Sequence, residues 1–208
     1  MSVGTRDRIL DAAEELFARD GASAASLRGI TQRAQVNLAA VHYHFGGKDK
    51  LLKAVLARRL VPLNAERIRL LETCQAAAGR RKVSLEKVIE SMVGPALRLS
   101  RDETKGGRVF MRLLGRLVLE PDARVQKHLT GQFETVLKKF QPALHGALPR
   151  LEARDFFWRL HFLVGAMAHT MADSERIQLI SGGLCDPDDT EVVVQSLVKF
   201  LCGGLRAT

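Results

Sequence analysis

Cysteine is scarce in this chain: Cys74, Cys185 and Cys202 are the only three. None stands at a metal-ligand or CxxC spacing, and three thiols cannot all pair, so the expectation is reduced thiols in a cytoplasm and no metal site. Long apolar runs are missing as well. No stretch approaches the ~20 apolar residues of a spanning helix, and the first residues carry no apolar signal segment. A cytosolic protein with no membrane partner is expected. Strand signals are weak throughout, and internal repeats, low-complexity tracts and long linkers are absent. Catalytic signatures are lacking too: there is no nucleophile elbow, no HExxH and no Cys/His cluster. Gly46-Gly47-Lys48 has the look of a phosphate loop but lacks the preceding strand, the first glycine and the Ser/Thr after the lysine. Neither an enzyme nor a cofactor is expected. The last scarcity is local. Between Gly21 and Lys48 there is no Asp or Glu, while Arg28, Arg33 and Lys48 supply three positive charges. That one-sided charge suits a phosphate surface.

What is present reads as an ordinary globular chain, 46% hydrophobic and 26% charged, with a net charge of +9. This composition argues against disorder and leaves room for one or two domains with a substantial core. Basicity alone fits nucleic acid or a membrane surface equally well. It is not confined to the first 50 residues, since Arg80-Arg81-Lys82 lies outside them.

The hydrophobic pattern is helical from end to end. Ile9, Ala12, Ala13, Leu16 and Phe17 recur at the spacing of an amphipathic helix over 6–19, with Gly21 as its stop. Ser26 caps a second helix carrying Leu27, Ile30 and Ala34, and Asn37 caps a third on which Val41 and Phe45 turn inward. Leu38, Ala39, His42 and Tyr43 are left on the other side, a short helix of the kind the major groove admits. A longer helix follows from Lys48 to at least Arg59. Pro62 ends or kinks it, although Leu63, Ile68, Leu70 and Leu71 suggest that it resumes. Further helical runs open at Ser84, cover 108–119 and extend from Asp122 to about Leu144, with a polar loop over 102–107. Residues 151–172 and Thr190 to Leu205 each carry an apolar arc wider than one core face needs. A four-helix contact between two copies explains both, and a buried hairpin in a monomer is the competing reading.

The segments Ser26-Leu27-Arg28-x-Ile30, Ala34-x-Val36-Asn37 and Tyr43-His44-Phe45-x-x-Lys48-Asp49-x-Leu51 fall in register with one another and with the first helix. Together, over residues 6–55, they resemble the TetR family of transcriptional regulators. The resemblance implies an all-α chain: a three-helix helix-turn-helix DNA-binding domain over 1–50, then a larger helical ligand-binding and dimerisation domain over 51–208. It implies a homodimer on a pseudo-palindromic operator in double-stranded DNA, released by a small hydrophobic ligand. Arg28 matches a helix-2 residue that reaches DNA. Asn37, Leu38, Ala39 and Ala40 match the start of the recognition helix, His42, Tyr43 and His44 its aromatic-rich end, and Lys48 a phosphate-gripping lysine. Three positions depart from the family pattern: Gln35 replaces the usual turn glycine, Gly29 sits inside helix 2, and His42 stands in place of a tyrosine. Phe110-Met111-Arg112-Leu113-Leu114-Gly115 and Phe157-Trp158-Arg159-Leu160-His161-Phe162-x-x-Gly165 are similar to segments of the fatty-acid-responsive branch. The ligand expected from that likeness is a fatty acid or acyl-CoA.

Each site residue has a plainer alternative. A lysine at a helix N-terminus is electrostatically unhelpful to that helix, which favours a phosphate role for Lys48 over a merely solvated one. Arg28 pairs either with a guanine edge or with phosphate, and Leu38, Ala39 and Ala40 can only touch thymine methyls. His44 packs against the next helix or donates to phosphate. Arg108, Arg112 and Arg116 form a stripe that is either solvated or has one member aimed at an anionic head group at the pocket mouth. The ligand set is Met92, Phe110, Met111, Arg112, Leu114, Trp158 and His161; its apolar members are core residues first, and His161, like His169, is a core or interface histidine first. Two readings compete with an acyl-responsive regulator. One is a regulator of efflux or catabolism that senses an aromatic or drug-like molecule; the other, of a different class, is an all-α lipid carrier.

Overall fold

A computed structural model describes residues 4–102, 106–172 and 175–207. Ten helices make up these described residues: α1 (Thr5–Asp20), α2 (Leu27–Ala34), α3 (Leu38–Phe45), α4 (Lys48–Ala78), α5 (Leu85–Arg101), α6 (Gly107–Val118), α7 (Ala123–Ala147), α8 (Ala153–Ala172), α9 (Glu175–Ile180) and α10 (Thr190–Arg206). No strand occurs among them. The polar loop expected over 102–107 falls in part, at 103–105, outside the described residues.

The first three helices close around Ile9, Ala13, Phe17, Ile30, Val41 and Phe45, all buried. The caps form where the sequence places them. Ser26 Oγ accepts from the Gly29 backbone N–H at 3.0 Å, and Asn37 Oδ1 accepts from that of Ala40 at 2.9 Å. Gln35 does take the left-handed conformation, with φ 53° and ψ 49°. Its N–H and that of Val36 then satisfy the carbonyls of Gln32 and Thr31. Glycine at 29 has a local reason: a Cβ there would stand 3.3 Å from Ser26 Oγ and crowd the cap.

Pro62 does not end α4, and the helix carries on through Leu63, Ile68, Leu70 and Leu71 as their spacing suggests. The helix is continuous from Lys48 to Ala78, and Pro62 is solvent-exposed. Only one backbone donor is lost there, on a face where water can reach the freed carbonyl. α4 thus joins the three-helix unit to the larger one as one continuous helix. α5 packs on α4 and α10, α7 on α4, and α6 on α1, α5 and α8. Their shared core holds Leu60, Ile89, Val93, Leu97, Phe110, Leu114 and Phe140.

α6 starts hard against the end of α5. A Cβ on Gly107 would fall 1.7 Å from the Leu99 carbonyl oxygen, so only glycine permits this approach. α8 and α10 are not consecutive. The short α9 lies between them, unforeseen because a six-residue helix has too few turns to show a period.

Candidate nucleic-acid interface

α2 and α3 bury one side and bare the other. Ile30, Ala34, Val41 and Phe45 go inward, whereas Arg28, Asn37, Leu38, Ala39, His42, Tyr43 and His44 are exposed. Ala40 is half-buried against the core. Tyr43, the one tyrosine of the chain, is 86% exposed and meets His44 edge-on at 5.1 Å between ring centroids. A bare tyrosine between two bare histidines has no packing role, so the outer face of α3 offers apolar contact at one end and hydrogen-bonding rings at the other. Asn37 spends its Oδ1 on the cap.

Two cations of the acid-free tract have partners that local sequence does not reveal. Arg33 is not left for a phosphate: it forms a two-pronged pair with Glu15 of α1, at 2.9 and 3.0 Å. Lys48 is half-buried and donates from Nζ to the Ser23 carbonyl at 2.7 Å. This bond gives the lysine a structural reason for its place, so the helix-terminus argument no longer singles out phosphate. Two of its ammonium hydrogens remain available, on the rim of a cleft of ≈ 220 Å³ lined also by Asp49, Asp122, Arg124 and His128. Arg6, which sequence reasoning missed, lies over the Phe45 ring at 5.5 Å and adds an exposed cation beside the end of α3.

Besides the Lys48–Ser23 bond, several polar contacts tie the three-helix unit to the rest. Glu14, 4% exposed, accepts from Arg58 at 2.6 Å and from Arg59 at 2.9 and 3.0 Å. Ser23 Oγ donates to Glu120 at 2.7 Å. Arg116 Nη1 donates to the carbonyls of Arg19 and Ala18 at the C-terminus of α1. Arg116 is therefore neither idly solvated nor at a pocket mouth, the two options open for the stripe. Arg108 reaches Asp188 at 3.9 Å, and Arg112 is exposed.

The structure does not gather the seven expected ligand residues. Met92, Phe110, Met111 and Leu114 lie in the core, each 6% exposed or less. Trp158 and His161 are exposed on the opposite side of α8 from the buried Phe156, Leu163 and Met167, so the core reading of Trp158 is corrected: it is 54% exposed and stacks on Phe162 at 5.9 Å. His169 is likewise exposed. Phe157, Phe162 and Phe200 are also more than 60% exposed, and between α8 and α10 runs an apolar cleft of ≈ 280 Å³ lined by Phe162, Leu163, Phe200, Leu201, Gly204 and Leu205.

Comparison with known proteins decides the lineage. Residues 9–55 match the bacterial regulatory proteins of the tetR family, and residues 90–204 match the tetracyclin repressor-like C-terminal domain. The chain belongs to the TetR family. The two matched stretches are the helix-turn-helix part and the C-terminal domain of that family's transcriptional regulators. Among TetR-type relatives, it is 48% identical over 62 residues to the regulator SrpR of Pseudomonas putida, covering 30% of this chain and 29% of that one. It is 44% identical over 62 residues to the nicotine-responsive repressor HdnoR of Paenarthrobacter nicotinovorans, covering 30% and 32%. The matched stretch thus spans less than a third of these relatives. The whole TetR architecture recurs in GusR of Salmonella enterica, with a TM-score of 0.62, 18% identity and 98% and 96% of the two chains covered. It recurs in FadR of Bacillus subtilis bound to stearoyl-CoA, with a TM-score of 0.61, 14% identity and 95% and 98% covered. At such identities the likeness shows the fold. Among the described residues, no helix is long and apolar enough to cross a membrane.

Proposed function

We propose that this TetR-family regulator is a homodimeric cytoplasmic repressor that leaves its operator when a small apolar molecule binds its larger domain. The observation that carries the reading is the bared face of α2 and α3: Arg28, Asn37, Leu38, Ala39, His42, Tyr43 and His44 are exposed together on a helix pair whose other side is buried. Two such faces, one per subunit, enter successive major grooves ~34 Å apart on a pseudo-palindrome. Leu38, Ala39 and the half-buried Ala40 meet thymine methyls. Arg28, Asn37, His42, Tyr43, His44 and Lys48 grip backbone or base edges. The second copy docks through the face of α8 and α10 that bares Phe157, Trp158, Phe162 and Phe200.

The ligand enters the core next to Met92, Phe110, Met111 and Leu114. Because these side chains are buried, admitting a ligand forces α5 and α6 apart, and α6 is bonded through Arg116 to the end of α1. Displacing α1 in one subunit against the other spoils the groove spacing. A coupling of ~1–3 kcal/mol between the two sites suffices for a response. The ligand class proposed is a fatty acid or acyl-CoA. Its support is the apolar core and the likeness of fold to a FadR solved with stearoyl-CoA.

The test is an electrophoretic mobility shift with a duplex from upstream of the chain's own gene, with and without palmitoyl-CoA. A shifted duplex released by the acyl compound is expected. Persistent failure to bind duplex would favour a lipid carrier, and binding without release would remove the acyl class alone.

A further inference from the structure

Arg67 lies on α4 and is only 3% exposed, yet among the described residues it has no carboxylate partner. Its Nε donates to the Met92 carbonyl at 2.8 Å, and its Nη1 to Asn64 Oδ1 at 3.0 Å. The guanidinium lies over the Phe133 ring, 5.7 Å from its centre. All three partners are neutral, and no acceptor for Nη2 is found among the described residues. The other buried charge among the described residues, Glu14, makes a sharp contrast, since two guanidiniums neutralise it.

The surroundings hold Arg67 in place from three helices. Asn64 donates in turn to the Gln132 carbonyl of α7 at 2.8 Å, which fixes the amide that Arg67 leans on. On α5, Pro95 removes the donor that the Ser91 carbonyl would use, loosening the turn next to Met92. Burial pushes the Arg67 pKa down to about 10, so the group remains charged at neutral pH. An oriented cation in an apolar interior with no counter-charge is unfavourable for the empty protein. A methionine would fill the same space without that cost. The same cation is a ready partner for an arriving anion, because its hydrogen bonds already fix its orientation and the side chain as a whole is already largely removed from water.

We propose that Arg67 anchors the anionic group of the regulatory ligand, and that this ligand is a carboxylate on an apolar body, seated among α4, α5 and α7. This rests on the ligand-responsive reading above and names the residue that holds the ligand's anionic group, which that reading leaves open. It moves the anionic contact from Arg112, which is exposed on α6, to a residue inside the domain. The apolar body runs into the core that α5 and α6 share, so that binding presses on α6.

The experiment compares acids with their own esters: palmitate against methyl palmitate, and phenylacetate against methyl phenylacetate. Melting temperature and release of a bound duplex are read on the full chain. Expected is a rise in melting temperature with at least one acid and none with its ester, the chain type showing whether the body is acyl or aromatic. Arg67→Met is expected to melt at or above the ligand-free wild type and to lose the preference for acid over ester. Arg67→Lys keeps part of that preference. Acids that act no better than esters, acids that all fail to raise the melting temperature, or an Arg67→Met protein that keeps the preference each overturn the proposal. Should Arg67→Met not fold, the acid–ester comparison on the wild type decides alone. The melting arm needs no DNA, so a protein that fails to bind duplex sinks the regulator reading without touching the anchor.

Discussion

Arg116 and Arg19 meet across the junction between the two parts of the chain: Nη1 of Arg116 donates to the Arg19 carbonyl at 2.7 Å, and to that of Ala18 at 3.2 Å. A cation thereby caps the carbonyl end of α1 from another helix, where the helix dipole favours it. The same end of α6 is held by a second helix. Gln126 of α7 donates to the Leu117 and Glu120 carbonyls at 2.9 and 2.6 Å.

Arg116→Ala is therefore expected to affect coupling more than stability. The loss in unfolding free energy should be about 1 kcal/mol, the scale of a helix-end charge. The ratio of operator affinities without and with ligand should fall toward one. Fluorescence anisotropy of a labelled duplex measures this ratio. An unchanged ratio would move the coupling to the Ser23–Glu120 or Glu14–Arg58 contacts.

Lys48→Ala separates two roles that the geometry allows together. If the free hydrogens of Nζ reach a phosphate, the slope of log affinity against log salt should drop by about 1 for every duplex sequence. If the lysine only ties α4 to Ser23, the melting temperature falls and the slope stays where it was. Titrations at three salt concentrations, run beside a thermal melt, discriminate the two.

Glu14 is the buried centre of the α1–α4 joint. Removing one partner of such a pair leaves uncompensated charge, a loss of ~3–5 kcal/mol in buried settings. The side chains of Arg58 and Arg59 remain 24% and 22% exposed, which leaves them some access to water. We expect Glu14→Ala to lie at the low end, about 3 kcal/mol, with urea unfolding shifted in midpoint and not in slope.

These three contacts mark where sequence reading reaches its limit. Caps and periods are local, so Ser26, Asn37 and Ser84 announced their helices, and α10 follows the apolar run from Thr190 almost to the residue. The outward face of α3 was legible for the same reason, since Val41 and Phe45 define its inner side. What escaped was tertiary. The Arg33–Glu15 pair spans 18 residues, the Lys48–Ser23 bond 25, and the Arg116–Arg19 bond 97. Nothing near Arg67 in the sequence distinguishes it from the exposed Arg69. Its burial is imposed by Asn64, Met92 and Phe133, which lie on three different helices. Trp158 was misplaced because the wide apolar arc of α8 has two sides, and spacing alone does not say which one meets the core.

Acid should loosen the start of α7. Asp122 caps that helix, and the Arg124 guanidinium, helped by the Arg124 backbone N–H, holds its carboxyl down at about 2 against an ordinary 3.8. A depressed carboxyl pKa adds stability above the ordinary value, and that contribution disappears as pH falls through about 2. Asp122→Asn should flatten this acid limb, visible as a smaller change in urea midpoint between about pH 4 and pH 2. An acid limb identical to the wild type would assign the pH dependence to other carboxylates, such as Glu191 beside Arg98.

The docking face of α8 and α10 is open to the most direct challenge. Phe162 and Phe200, 62% and 71% exposed, flank the cleft between the two helices, and Arg159 of α8 locks their relative position by donating to the Leu205 carbonyl at 2.7 Å. Gly203 and Gly204 add a flat strip where a Cβ would meet no neighbour, room for another helix to approach closely. A charge at either phenylalanine would have to be desolvated on association while adding nothing to the subunit's own core. Phe162→Glu and Phe200→Glu should each give a folded monomer by light scattering, with an unchanged far-ultraviolet spectrum. Operator binding should weaken steeply, because each half-site is then held by a separate subunit and the advantage of linked sites is lost. Retention of a dimer by both variants would place the contact between copies elsewhere, and the two recognition faces would need a different geometry to reach successive grooves.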